Sequence, residues 1–146
     1  MRRDPRPELD IAGRCDCGAV TLAARGRVAS MFLCACENCQ RATGTGHAAI
    51  VLLPAGSVAI NGALKTYSRP ADSGATFTRH FCPACGTTVY AQSSRAPDLF
   101  ILPVGIFAGD NDWFEPGQLI FARSHQQWDL LAGGLPRHAT YRPATP

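Results

Sequence analysis

Seven cysteines carry the most chemistry in this chain, and their spacing puts them in three groups. Cys15-Asp-Cys17 comes first, Cys34-Ala-Cys36-Glu-Asn-Cys39 second and Cys82-Pro-Ala-Cys85 third. Each group ends near glycine or a turn former, as a tight metal knuckle requires. A structural zinc prefers four tetrahedral ligands, whereas a catalytic zinc typically keeps three protein ligands and one open place. Seven is four plus three. The simplest partition gives one zinc to Cys15, Cys17, Cys82 and Cys85, and a second to Cys34, Cys36 and Cys39. Buried free thiols, or one metal with spare cysteines, are the plainer readings, but three tight clusters in one small chain are hard to assign to packing.

The second group leaves a place for water, substrate or an eighth ligand. His47, His80, His125 and His138 are the histidines that could fill it, and each is equally readable as a surface or core residue. Three thiolates outweigh the charge of the ion, which makes a bound water less acidic than in a three-histidine site. A zinc hydroxide is therefore unattractive here, and a thiol ligand is attractive because zinc binds thiolates directly.

Elements must hold these residues. Fourteen glycines and eleven prolines in 146 residues point to many turns and short strands. Strands are expected at Ala19–Arg25, at "MFLCAC", "HAAIVLL", "LKTYSR", "ATFTRHF", "TTVYAQ" and "DLFILPVGIF", and last at "QLIFARS". "ENCQRATG" suits a single helical turn ended by Gly44 and Gly46. The expected fold is mainly β, a single antiparallel domain wrapped around metal. Residues 1–12 read as a frayed leader, 13–138 as the zinc domain and 139–146 as a tail.

Composition bounds the function. The net charge of +3 is small and scattered, so nucleic acid is not an expected partner. "MRRDPRPELD" has no apolar run after its arginines, and no stretch approaches membrane-span length. A cytoplasmic location is the default expectation, and cysteines there read as metal ligands or reactive thiols, not disulfides.

The motifs "GRCDCGAVTL", "CACENCQRATG" and "FCPACGTTVY" together resemble the glutathione-dependent formaldehyde-activating enzyme family, also called Gfa or centromere-protein-V-like. The C-terminal stretch, with its Asp-rich loop, Trp128 and closing Leu-Pro, looks similar too. The resemblance runs from about Gly13 to His138, nearly a whole domain by length. It implies an Mss4-like β fold, a structural zinc on Cys15, Cys17, Cys82 and Cys85, and a second on Cys34, Cys36 and Cys39. It further implies a carbon–sulfur lyase activity that joins formaldehyde and glutathione to S-hydroxymethylglutathione. The alternative is a non-catalytic thiol-binding protein or a structural zinc module. Ala35 stands where many members carry histidine.

Glutathione has two carboxylates, and thirteen of the fourteen basic residues are arginine, whose planar fork bonds both oxygens. Arg41, two residues past Cys39, is the expected carboxylate holder; a solvent-facing arginine is the plainer account. Arg79 and Arg123 fall in expected strands, where they cover a face or pair with an acid. Trp113, Phe114 and Trp128 wall a pocket or cap the core, with core the favourite. Glu37 is a proton shuttle or a solvated helix-start acid.

Overall fold

The computed structural model describes residues 6–143. Ten strands and one short helix follow in order: β1 Glu8–Arg14, β2 Thr21–Arg27, β3 Ser30–Cys34, α1 Glu37–Thr43, β4 Ala48–Pro54, β5 Val58–Asn61, β6 Lys65–Pro70, β7 Thr76–Phe81, β8 Thr88–Ser93, β9 Leu99–Pro103 and β10 Leu119–Ile120. The chain is mainly β and a single domain, as composition suggested. No helix among the described residues is long and apolar enough to cross a membrane.

Two sheets form. The smaller runs β1-β2-β5 and the larger β10-β3-β4-β9-β8-β7-β6. Pairing is antiparallel except for the two residues of β10, which lie parallel to β3, with Ile120 opposite Cys34. Leu9, Leu22 and Ala24 of the small sheet pack against Met31, Val51, Leu53, Val89 and Leu102 of the large one, and these make the main core.

Register decides what the other face of the large sheet carries. Directly opposed residues of an antiparallel pair share a face. Phe32 stands opposite Ile50, and Ile50 opposite Pro103. Ile101 meets Ala91, Ala91 meets Arg79, Ser93 meets Phe77 and Phe77 meets Arg69. This row faces away from the main core. It explains why "HAAIVLL" is apolar at nearly every position: β4 is covered on both sides.

The expected elements differ from the structure at several points. Residues 8–12, expected in the leader, form most of β1. Residues 139–141, expected in the tail, belong to the fold: Phe121 N–H donates to the Thr140 carbonyl at 3.0 Å, and the Phe121 and Tyr141 rings meet edge to face at 4.9 Å. Residues 1–5 and 144–146 lie outside the described residues. Strand β5 was not expected from its short "VAIN" stretch. "DLFILPVGIF" is a strand only to Pro103, where a 3₁₀ turn takes over, and "QLIFARS" keeps two strand residues before another. Pro103 and Gly105 break the ladder in the first stretch, and Phe121, in the left-handed region at φ 55°, ends it in the second. The helical turn at "ENCQRATG" is longer than one turn and ends at Gly44 in the left-handed region, φ 73°.

Candidate metal centres

The four-cysteine cluster joins two turns. Cys15 follows β1, and Cys82 follows β7. Cys82 N–H donates to the Thr87 carbonyl at 2.9 Å, and Gly86 N–H returns to the Cys82 carbonyl at 2.8 Å. Gly86 takes φ 78°, which a side chain resists. Across the cluster, Asp16 N–H donates to Thr87 Oγ1 at 3.1 Å. Cys15 and Cys82 are wholly buried, whereas Cys17 is exposed.

The sulfurs have the spacing of a metal site. Cys15 Sγ lies 3.7 Å from Cys17 Sγ, and Cys17 Sγ 3.8 Å from Cys82 Sγ. Thiolates at the usual zinc–sulfur distance stand about 3.8 Å apart along a tetrahedral edge, far longer than the roughly 2.05 Å of a disulfide. Cys15, Cys17, Cys82 and Cys85 all lie within 4.8 Å of one another. Thr87 Oγ1, 3.2 Å from Cys85 Sγ, leads the hydrogen bonds that pull that thiol down to about 5.

The trio is local. Cys34 ends β3 and is held between Ala48 of β4 and Ile120 of β10. Cys36 is the N-cap of α1, its Sγ accepting the Cys39 N–H at 3.3 Å. Cys39 sits in the first helical turn. A strand end, a cap and a first turn thus bring three sulfurs within 4.8 Å of one another. Hydrogen bonding to Cys34 and Cys39 pulls the Cys36 thiol down to about 2. Its neighbours pay the opposite shift: Cys36 pushes Cys34 up to about 12, and Cys34 drives Cys39 upward. One thiolate is held by two thiols, and a metal binding all three displaces the remaining protons. Ala35 points elsewhere, enclosed with Leu33 and Leu119 in a small satellite core.

No histidine or carboxylate among the described residues joins either cluster. His47 Nδ1 and His125 Nε2 both reach Asp129 Oδ2, at 2.7 and 3.0 Å. His80 stacks on Tyr90 at 4.1 Å and bonds Gln92 at 3.0 Å. The His138 N–H serves the Leu119 carbonyl. Both clusters could therefore hold a metal ion, four-coordinate in one case and three-coordinate from protein in the other.

All three trio cysteines line a hollow of about 170 Å³. Its walls are Phe32, Ile50, Phe77 and Ile101 from the outer row of the large sheet, with Phe121 and Tyr141 from the C-terminal segment. Phe121 has φ 55°, a backbone region costly for an aromatic residue and tolerated where surrounding structure imposes it. A second hollow of about 440 Å³ adjoins the first through Cys39 and runs to Gly86, Thr87 and Thr88.

Arg41 is not among the residues lining either hollow. It lies on the exposed face of α1, 3.5 Å from Glu37. Arg69 lines both hollows, Arg95 the smaller and Arg79 the larger. Arg123 lies in a 3₁₀ turn instead of the expected strand and pairs with Asp72 at 2.8 Å. Trp113 packs against Phe107 and Phe114 at the edge of the core, as the plainer reading had it, while Trp128 is exposed. Arg69 escaped notice in the sequence, where "LKTYSR" shows only alternation. Pairing that strand with "ATFTRHF" across the intervening turn would have set Arg69, Phe77 and Arg79 on one face.

A family profile described as glutathione-dependent formaldehyde-activating enzyme matches residues 10–124, which contain all seven cysteines. Asp129 and Tyr141 lie beyond the match. The crystal structure of a Rhodobacter sphaeroides protein covers 88% of this chain and 100% of its own at 22% identity and a TM-score of 0.57, a likeness of fold. No curated protein matches the chain.

Proposed function

The chain belongs to the glutathione-dependent formaldehyde-activating enzyme family, and from that premise we propose a two-zinc protein that binds glutathione or a related thiol and forms or cleaves its aldehyde adduct. The observation that carries this reading is a trio of cysteines with no fourth protein donor among the described residues, set at the wall of an apolar hollow. Cys15, Cys17, Cys82 and Cys85 would hold the structural ion. Zinc on Cys34, Cys36 and Cys39 would supply an open coordination place that takes a thiol as thiolate.

The chain's own residues do the rest. The pairing of Cys34 between β4 and β10 and the Cys36 cap fix the sulfurs before ligand arrives. Phe32, Phe77 and Phe121 keep water sparse around the reacting sulfur. In the adduct reaction the thiol sulfur bonds the carbonyl carbon, and the thiol proton passes to the carbonyl oxygen; the reverse releases thiol and aldehyde without redox change. The partner is a small-molecule thiol met in the cytoplasm, with neither nucleic acid nor membrane involved.

A second reading, a thiol carrier without catalysis, draws on one feature. Among the described residues, Asp72 is the only carboxylate lining the trio hollow, and it is committed to Arg123. No histidine among the described residues lines either hollow. Proton transfer would then depend on solvent.

The test has two stages. Zinc-loaded protein is titrated with glutathione and with S-methylglutathione; glutathione binds and its S-methyl form binds much more weakly. Exchange of the formaldehyde adduct is then followed at low reactant concentration. A rate above the spontaneous one that vanishes in Cys36→Ser supports the lyase, and binding without acceleration supports the carrier. Equal affinity for the two glutathiones removes the thiolate mechanism.

A further inference from the structure

Arg69 occupies the waist of the cavity. The two hollows share six residues, Asn38, Cys39, Ile50, Arg69, Phe77 and Ile101, and Arg69 is the one charged residue among them. Its guanidinium carbon lies 4.5 Å from the centre of the Phe77 ring. Its hydrogen bond is a long one, Nη1 to the Pro70 carbonyl at 3.4 Å, and its charge also acts on Cys36. Among the described residues no carboxylate pairs with it: Asp72, on the same hollow, is 2.8 Å from Arg123. The side chain is half-buried on strand β6, whose pairing with β7 sets it directly opposite Phe77.

A half-buried guanidinium without an acid keeps unused donors, and a planar fork held against a ring face is ordered in advance for a bidentate carboxylate. Arg95 is exposed and Arg41 is paired on the outer face of the helix, so neither offers the same partly desolvated donor set. Arg79, also half-buried, lines only the larger hollow, away from Cys34 and Cys36. We propose that Arg69 is the specificity-determining residue of the trio site, taking a carboxylate of the bound thiol and selecting acidic thiols over neutral ones. This rests on the thiol-binding reading above.

The competing structural role is simple charge balance, with Arg69 offsetting the negative charge of three thiolates. That role predicts loss of metal, not loss of selectivity. The experiment uses zinc-loaded protein and a matched pair of probes, 3-mercaptopropionate and 3-mercapto-1-propanol, which differ in the carboxylate. Calorimetric titration of the wild type is expected to favour the acid by roughly 10- to 100-fold, the range of a charge-assisted hydrogen bond. Arg69→Ala should weaken the acid to the level of the alcohol, leave the alcohol unchanged and keep two zinc ions. Arg69→Lys should retain part of the preference, and Arg41→Ala all of it. Equal weakening of both probes by Arg69→Ala, a lowered zinc content or a preference that survives the substitution would overturn the assignment of Arg69. If the wild type binds both probes without preference, the selectivity is refuted while the thiol reading stands. If it binds neither probe, the thiol reading fails, and this assignment with it.

Discussion

Cys36 shows how one residue can serve fold and site at once. Its sulfur caps α1 through the Cys39 N–H and belongs to the cysteine trio that could hold a metal. Serine is a good N-cap and a poor zinc ligand, so Cys36→Ser separates the two roles. The variant should lose about one zinc ion per chain by elemental analysis while its circular dichroism and melting stay near wild type. Cys36→Ala loses the cap as well and should fall about 1 kcal/mol below the serine variant in denaturant unfolding. If the serine variant unfolds, the trio is part of the structural frame and the division of the cysteines is wrong.

Helix α1 buries no residue of its own and needs outside support. Gln40 Nε2 donates to the carbonyls of Ala35 and Ser124, at 2.9 and 3.0 Å. Just beyond the helix, His47 meets Asp129, which also accepts from His125. This clamp ties the helix that carries Cys39 to the segment that supplies Phe121 and Tyr141. Burial works against the charge on Asp129, but hydrogen bonds from His47 and then His125 overcome it and hold the carboxyl below its ordinary pKa. A depressed carboxyl contributes stability that is present above its unfolded-state pKa and lost as pH falls through the folded one. Asp129→Asn should therefore destabilise the protein by about 1–3 kcal/mol near neutral pH and less at strongly acid pH, read from denaturant midpoints across a pH series. A constant difference at every pH would show that the charge is irrelevant. Gly46 packs directly on this clamp: a Cβ there would fall 2.6 Å from Asp129 Cβ and Cγ. Gly46→Ala should cost about 1–3 kcal/mol by overpacking and loosen the C-terminal segment, seen as faster amide exchange near Phe121.

The four-cysteine cluster works on the whole molecule. It joins the β1–β2 turn of the small sheet to the β7–β8 turn of the large one, closing a loop across a sequence separation of 65 from Cys17 to Cys82. A metal there would constrain the chain and hold together the two sheets that enclose the main core. Cys82→Ser, at a wholly buried position, should abolish cooperative unfolding, and a strong chelator should do the same to the wild type. Circular dichroism with parallel zinc release reads both; a metal-free chain with a native melt would remove the structural role.

Much of this was legible along the chain because its signals are local. The partition of cysteines follows from spacing, and the structure brings together the same four and the same three. Most strands follow from alternation between turn residues, which any half-buried strand must show. The strand Val58–Asn61 was missed because four residues carry too little pattern, and Glu8–Arg14 because its polar residues read as a leader until Thr21–Arg27 pairs with it. The cavity wall was out of reach of spacing along the chain for a different reason. A position two residues past Cys39 placed Arg41 at the metal in sequence, but helical rotation turns it outward to Glu37. The register of Lys65–Pro70 on Thr76–Phe81 brings in Arg69, thirty residues after Cys39. Composition and spacing by themselves determined the β character and the metal clusters, since those depend on neighbours in the chain. Which arginine faces the open site was decided only by tertiary structure, because strand register and helix rotation choose the face that each side chain presents.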